Sequence, residues 1–141
     1  MQKLEEILKS WESDADIDQT EPGKELLNIP KLHSKYLDNL IKHKMAAKKA
    51  NFDYLHMRKL RWEYYTGKLS KDELQEYGWE PFQFTLKSDV SFYLESDTEL
   101  IKLLEKKIYH EEVVTVIESI MSEVKQRAWE LKRPKWVKCN G

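Results

Sequence analysis

Cysteine is almost absent from this sequence: Cys139 is alone and close to the end of the chain. A single thiol cannot close an intrachain disulfide, which excludes a small secreted fold held by staples. Glycine and proline occur four times each, too seldom for a loop-rich or all-β chain. No apolar run approaches the length of a membrane span. The opening Met1-Gln-Lys-Leu-Glu-Glu-Ile-Leu-Lys-Ser-Trp11 carries acids early and has no long apolar core, so it does not read as a secretory signal. Glycine-rich phosphate loops, Gly-x-Ser-x-Gly turns and His-Glu-x-x-His motifs are all missing. His33, His43, His56 and His110 have no zinc-ligand spacing with one another or with Cys139. Adjacent acids such as Glu5-Glu6 and Glu111-Glu112 point to different parts of a helix and read as solvated. Nothing here asks for a catalyst, a cofactor, a metal or a membrane, and the expected compartment is the cytoplasm.

What the chain does have is charge. Charged residues make up 35% of 141 residues against 40% hydrophobic ones, so a core is affordable but small. Long helices with solvated faces, or an oligomer that supplies missing core, fit this balance. The net charge of −1 conceals a partition. Residues 1–30 hold three basic and eight acidic side chains, and residues 66–99 hold the same numbers. Residues 31–65 hold nine basic and three acidic, and residues 100–141 nine and six. The second stretch therefore carries a local positive field suited to a polyanion, although a solvated helix face would look the same.

The spacing of Leu4, Ile7, Leu8 and Trp11 predicts a short amphipathic helix over residues 3–12. An acidic linker follows, punctuated by Pro22-Gly23, then a helical turn to about Asn28. Pro30 stands where a long helix can begin, because a missing N–H costs nothing in a first turn. From Lys31 to Tyr65 there is neither proline nor glycine. One apolar stripe runs Leu32, Tyr36, Leu40, Ala47, Ala50, Tyr54 and Tyr65; a second runs Leu37, Ile41, Phe52, Leu55 and Trp62. The stripes lie roughly 120° apart, which predicts burial against two neighbours, one of them able to be another subunit. Lys31, Lys35, Lys42 and Lys49 mark a third face. Gly67 suits a left-handed cap, Ser70-Lys-Asp-Glu73 reads as a capping box, and Gly78 is a stop. Phe82, Phe84 and Leu86 alternate with polar residues as in a short strand, or as extended chain. A short helix is expected over residues 88–94. Ser96-Asp-Thr-Glu99 reads as a second capping box, opening a helix from about Asp97 to Lys132 along Leu100, Leu104, Ile108, Val113, Ile117, Ile120, Val124, Ala128 and Leu131. The last part of that stripe, Val113, Ile117, Ile120, Val124 and Leu131, is the expected oligomerisation surface. The fold class is mainly α: two long helices plus short ones and one short β segment. A single domain accounts for the whole chain: an acidic segment 1–30, a basic helix 31–66, a connecting segment 67–96, an oligomerisation helix 97–133 and a basic tail 134–141.

The densest constellation is Arg58-Lys-Leu-Arg-Trp-Glu-Tyr-Tyr-Thr-Gly67, with three cations and three aromatics in eight positions. Single-stranded nucleic acid needs cations for phosphates and flat rings on which bases stack. Arg61 and Lys59 continue the two apolar stripes, and a charge on such a stripe either snorkels or meets an anion. Arg58, Lys59, Arg61, Trp62 and Tyr65, with Lys48 and Lys49 upstream, are the candidate contacts. The alternative is that Trp62, Tyr64 and Tyr65 are core and the cations bridge to acids such as Glu63.

Ile17-Asp-Gln-Thr20, Leu32-His-Ser-Lys-Tyr-Leu37 and Lys59-Leu-Arg-Trp-Glu-Tyr-Tyr-Thr-Gly67 occur in the order and at the distances found in the UvsY family of phage recombination mediators, which this sequence resembles over roughly residues 17–110. Thr85-Leu-Lys-Ser-Asp89 and Ser96-Asp97 are similar as well. The family form of the third motif is approximately Leu-Lys-x-Arg-x-x-Tyr-Tyr-Ser-Gly. This chain departs from it with Arg58, Trp62 and Thr66, changes that keep or raise its basic and aromatic character. The resemblance implies a helical ring oligomer that binds single-stranded DNA, helps to remove single-strand-binding protein and loads a RecA-like phage recombinase, in the cytoplasm of the infected bacterial host. It implies DNA contact by the Lys-x-Arg pair, here Lys59 and Arg61. The segment from Lys68 to Trp79 matches poorly. The competing expectation is a helical scaffold that uses its stripes for partner helices and ignores nucleic acid.

Overall fold

The computed structural model describes residues 1–83 and 86–133. Among them are α1 (Leu4–Asp14), α2 (Pro22–Tyr65), α3 (Lys71–Tyr77), a 3₁₀ turn (Lys87–Asp89), α4 (Val90–Glu95) and α5 (Thr98–Lys132), with no strand. The fold is mainly α, built on two long helices. Pro81, Phe82, Gln83 and Leu86 lie in irregular chain where the alternation suggests a strand, and a lone strand has no ladder to join. Phe84 and Thr85 of that pattern, the tail from Pro134 and Cys139 are outside the described residues.

The start of α2 differs from the sequence expectation. Asp18 Oδ1 accepts from the Thr20 backbone N–H at 2.9 Å and from its hydroxyl, closing a local turn. The helix then begins at Pro22, and Pro30 lies inside it. An interior proline removes the bond to the carbonyl four residues back and costs about 3 kcal/mol. Ile29 and Leu32, on either side of Pro30, pack into a core. Leu32 is buried and Ile29 half-buried, and fully burying such a side chain stabilises by about 1.5–3 kcal/mol, which offsets much of that loss.

Two compact units divide the chain: Met1–Met45 with residues 110–133, and Ala46–Tyr109. In the first, Ile7 of α1, Leu32 and Tyr36 of α2, and Val113, Ile117, Ile120 and Val124 of α5 form one buried cluster. The Tyr36 hydroxyl donates to Asp14 Oδ2 at 2.8 Å. Arg127 donates to the carbonyls of Asp14 and Ala15, both at 2.9 Å, so α5 supplies the cation that the last turn of α1 lacks. His43 and His110 are buried with their Nδ1 atoms 2.9 Å apart. His43 Nε2 donates to the Gln2 carbonyl at 2.7 Å.

The second unit is centred on aromatic side chains. Tyr65, Val90, Leu94 and Leu100 are buried, with Tyr54, Met57, Tyr64, Phe82 and Tyr93 against them. Ser70 and Glu73 form the expected reciprocal capping box of α3. Gly67 and Gly78 both have a φ of 71°, the left-handed conformation expected of helix-ending glycines.

Candidate nucleic-acid interface

The end of α2 places the basic–aromatic constellation in two different environments. Arg61 points inward, its side chain 16% exposed. Its Nε donates to Asp97 Oδ2 at 2.5 Å and its Nη2 to the Tyr65 hydroxyl at 3.1 Å. Its guanidinium lies 4.6, 5.0 and 5.2 Å from the ring centroids of Trp79, Tyr64 and Tyr65. Tyr65 in turn donates to Asp97 Oδ2 at 2.6 Å. Burial works to raise the Asp97 carboxyl, but the hydrogen bonds from Tyr65, Arg61 and the Leu100 N–H together hold it below the usual carboxylate value. Burial, then the bond to Asp97, raises the Tyr65 phenol. For Arg61 and Tyr65 the arrangement matches the core alternative, with Asp97 rather than Glu63 as the acid.

Asp97 does a second job with its other oxygen. Its Oδ1 accepts from the backbone N–H groups of Glu99 and Leu100 at 2.9 and 3.2 Å, so Asp97 caps α5. The capping box expected from Ser96 is not formed. The Ser96 hydroxyl donates back to the Phe92 carbonyl at 2.7 Å and closes α4 instead. The sequence reading missed Asp97, although an acid two residues before the Glu99 N–H is an ordinary helix cap.

The other half of the constellation faces out. Lys48, Phe52, Leu55, Lys59 and Trp62 are all exposed, and at about 100° per residue they fall within roughly 80° of the helix circumference. Phe52 is 58% exposed and Leu55 51%. In this unit, then, the second apolar stripe of α2 is uncovered, where burial was expected. Among the described residues Lys48, Arg58 and Lys59 have no acid within ion-pair distance. Lys49 pairs with Asp53 at 2.9 Å, an exposed bond that is easily exchanged. Lys68 Nζ lies 4.2 Å from the Trp62 ring centroid.

The residues assigned to oligomerisation lie elsewhere. Val113, Ile117, Ile120 and Val124 are at most 4% exposed and pack with Ile7 of α1 and Leu32 and Tyr36 of α2 of their own chain. Leu131 is half-buried. The sequence pattern marked these positions as apolar, and the neighbour that covers them comes from the same chain. The buried His43–His110 contact also escaped the sequence reading, because 67 residues separate the partners.

A sequence profile for a family described as recombination, repair and ssDNA binding protein UvsY matches residues 10–138. The chain belongs to the UvsY family. Crystal structures of the bacteriophage T4 recombination mediator protein UvsY share the fold of this UvsY-family chain. In lattice type II the TM-score is 0.82 at 21% identity, covering 99% of this chain and 97% of the other. In lattice type IV it is 0.81 at 19% identity, covering 99% and 100%. No curated protein sequence matches. The family description is that of recombination, repair and single-stranded-DNA-binding proteins. No helix among the described residues is long and apolar enough to cross a membrane.

Proposed function

We propose that this chain binds single-stranded DNA along the exposed face of α2 and, as a homo-oligomer, helps a RecA-like recombinase replace single-strand-binding protein on the strand in the infected host cell. The observation that carries the reading is the interleaving of uncommitted cations with exposed rings: Lys48, Phe52, Lys59 and Trp62 on one face, with Arg58 beside them. From Lys48 to Lys59 that face extends about 16 Å along the axis. Cations hold phosphates without regard to sequence, and rings stack with any base, so the site suits a protein that must act on arbitrary strands. Lys59 is the direct contact of the Lys-x-Arg pair, and Arg61 positions α2 through Asp97. One site of this size binds weakly. Several copies on one strand sum to high avidity, and a strand held at many points is in a shape that another coating protein has to give up.

Binding to a fluorescent oligonucleotide across a salt series tests this. Affinity is expected to fall steeply as salt rises. Lys59→Ala is expected to lower it several-fold at low salt and to reduce the slope of log K against log salt by about 0.7 for each phosphate that Lys59 neutralises. Its unfolding stability is expected to stay within about 0.5 kcal/mol of the parent, as for an exposed side chain. An unchanged slope would remove Lys59 from the interface. The exposed Phe52 and Leu55 also suit a helical scaffold, whose partner binding would persist in high salt. Failure to accelerate recombinase assembly on coated DNA, with DNA binding intact, would count against the mediator step alone.

A further inference from the structure

A cleft of about 570 Å³ opens beside the end of α2, lined by Trp62, Tyr65, Thr66, Gly67, Lys68, Phe82, Gln83, Lys87 and Val90. Its volume lies in the range of small-molecule sites. Trp62, Tyr65, Phe82 and Val90 give it flat and apolar walls, Thr66 and Gln83 supply polar groups, and Lys68 and Lys87 bring two cations. Among the described residues its lining contains no carboxylate. Two other clefts contrast with it: one at Trp11 includes Glu123 and Glu130, and one at Tyr54 includes Glu95. Rings, cations and the absence of acids match a nucleotide, whose base stacks while its phosphate takes the cations. An apolar peptide would have no use for the lysines, and a basic one would be repelled by them.

We infer that this cleft receives a single unstacked base of the bound strand, with Lys68 and Lys87 on the flanking phosphates. The inference rests on the single-stranded-DNA reading and adds to it a specific seat away from the open helix face. Phe82 is half-buried and stands edge-on to Tyr65 at 4.9 Å and to Tyr93 at 5.1 Å, so its orientation is fixed before a ligand arrives. Trp62 is 37% exposed and belongs both to the α2 face and to the cleft, which makes it the point where the strand turns in. Lys68 now lies over its ring. An exposed cation–ring contact is weaker than base–aromatic stacking, so a base can displace Lys68 toward a phosphate.

Ultraviolet crosslinking of the full chain to an oligothymidylate carrying 5-iododeoxyuridine, with adducts mapped by mass spectrometry, decides the matter. An adduct on Phe82 is expected, and Lys87→Ala should weaken it several-fold together with binding. An oligomer of abasic sugar-phosphate of equal length should bind roughly tenfold or more weakly than oligothymidylate, the loss of stacked bases. Adducts on Phe52 with none on Phe82 or Tyr65 would place the bases on the open face and overturn the cleft, as would tight binding with no adduct anywhere. Equal binding of the abasic strand would overturn it too, while leaving the phosphate-binding reading of α2 in place. Failure to bind either strand at low salt would overturn both.

Discussion

Asp97→Ala is expected to destabilise the protein by about 3 kcal/mol through Arg61 alone, the low end for removing one partner of a buried ion pair. The Asp97 side chain is fully buried, and Arg61 is exposed enough to regain some water. The same substitution removes the cap of α5, worth about 1 kcal/mol. Together these approach a large fraction of the 5–15 kcal/mol that holds a typical domain folded. Asp97→Asn separates the two terms, because an asparagine amide oxygen still caps a helix but carries no charge for Arg61. It is expected to be less damaging than alanine by about 1 kcal/mol. Adding Arg61→Met to Asp97→Asn is expected to cost far less than the two single changes summed, since it removes the stranded cation; additive losses in urea unfolding would disprove the pairing. Folded Arg61→Met should keep single-stranded-DNA affinity within two- to threefold of the parent, where Lys59→Ala does not.

Asp97 also gives the fold an acid limit. Its carboxyl is held below the usual value in the folded state, so the unfolded chain binds the proton more readily. The stabilisation is complete above the unfolded value of about 3.9 and is lost as pH falls from there through the lower folded value. Unfolding measured between pH 5 and pH 2 should therefore show a decline that Asp97→Asn flattens. An identical decline in the variant would assign the acid sensitivity to other carboxylates.

The features legible in the sequence are those that depend on near neighbours. Gly67 and Gly78 end helices because the backbone there needs a positive φ, and Ser70 meets Glu73 three residues on, so both were readable from local spacing. The Ser96–Glu99 pattern was as good on paper, but Asp97 competes for the same N–H groups and also has Arg61 and Tyr65 to bind. A partner 36 residues away decided the outcome, and no local pattern records it. Pro30 is a similar case. Local chemistry makes it a helix start, and the burial of Ile29 and Leu32 carries the helix through it. On the site side, counting cations and rings singles out a stretch of α2 but cannot sort exposed Lys59 from inward-facing Arg61. Both continue apolar stripes, and only packing tells which stripe is covered.

Ile117 presents the opposite test, because its sequence pattern served fold and assembly equally well. Its side chain is fully buried among Ile7, Leu32, Tyr36, Val113, Ile120 and Val124. Aspartate there would lose the packing of a large apolar side chain and put a charge inside an apolar cluster. The expected loss exceeds about 4 kcal/mol, the range reserved for buried charges and large cavities. Ile108→Asp, on the same helix at a position 55% exposed, is expected to stay within about 0.5 kcal/mol of the parent. Circular dichroism and light scattering on the pair separate the readings. If Ile117 belongs to the core of its own chain, Ile117→Asp loses helical signal at every concentration, and Ile108→Asp keeps it. If Ile117 instead joined subunits, Ile117→Asp would be a stable, fully helical particle of lower mass. That result would move the C-terminal half of α5 out of the core and into the interface.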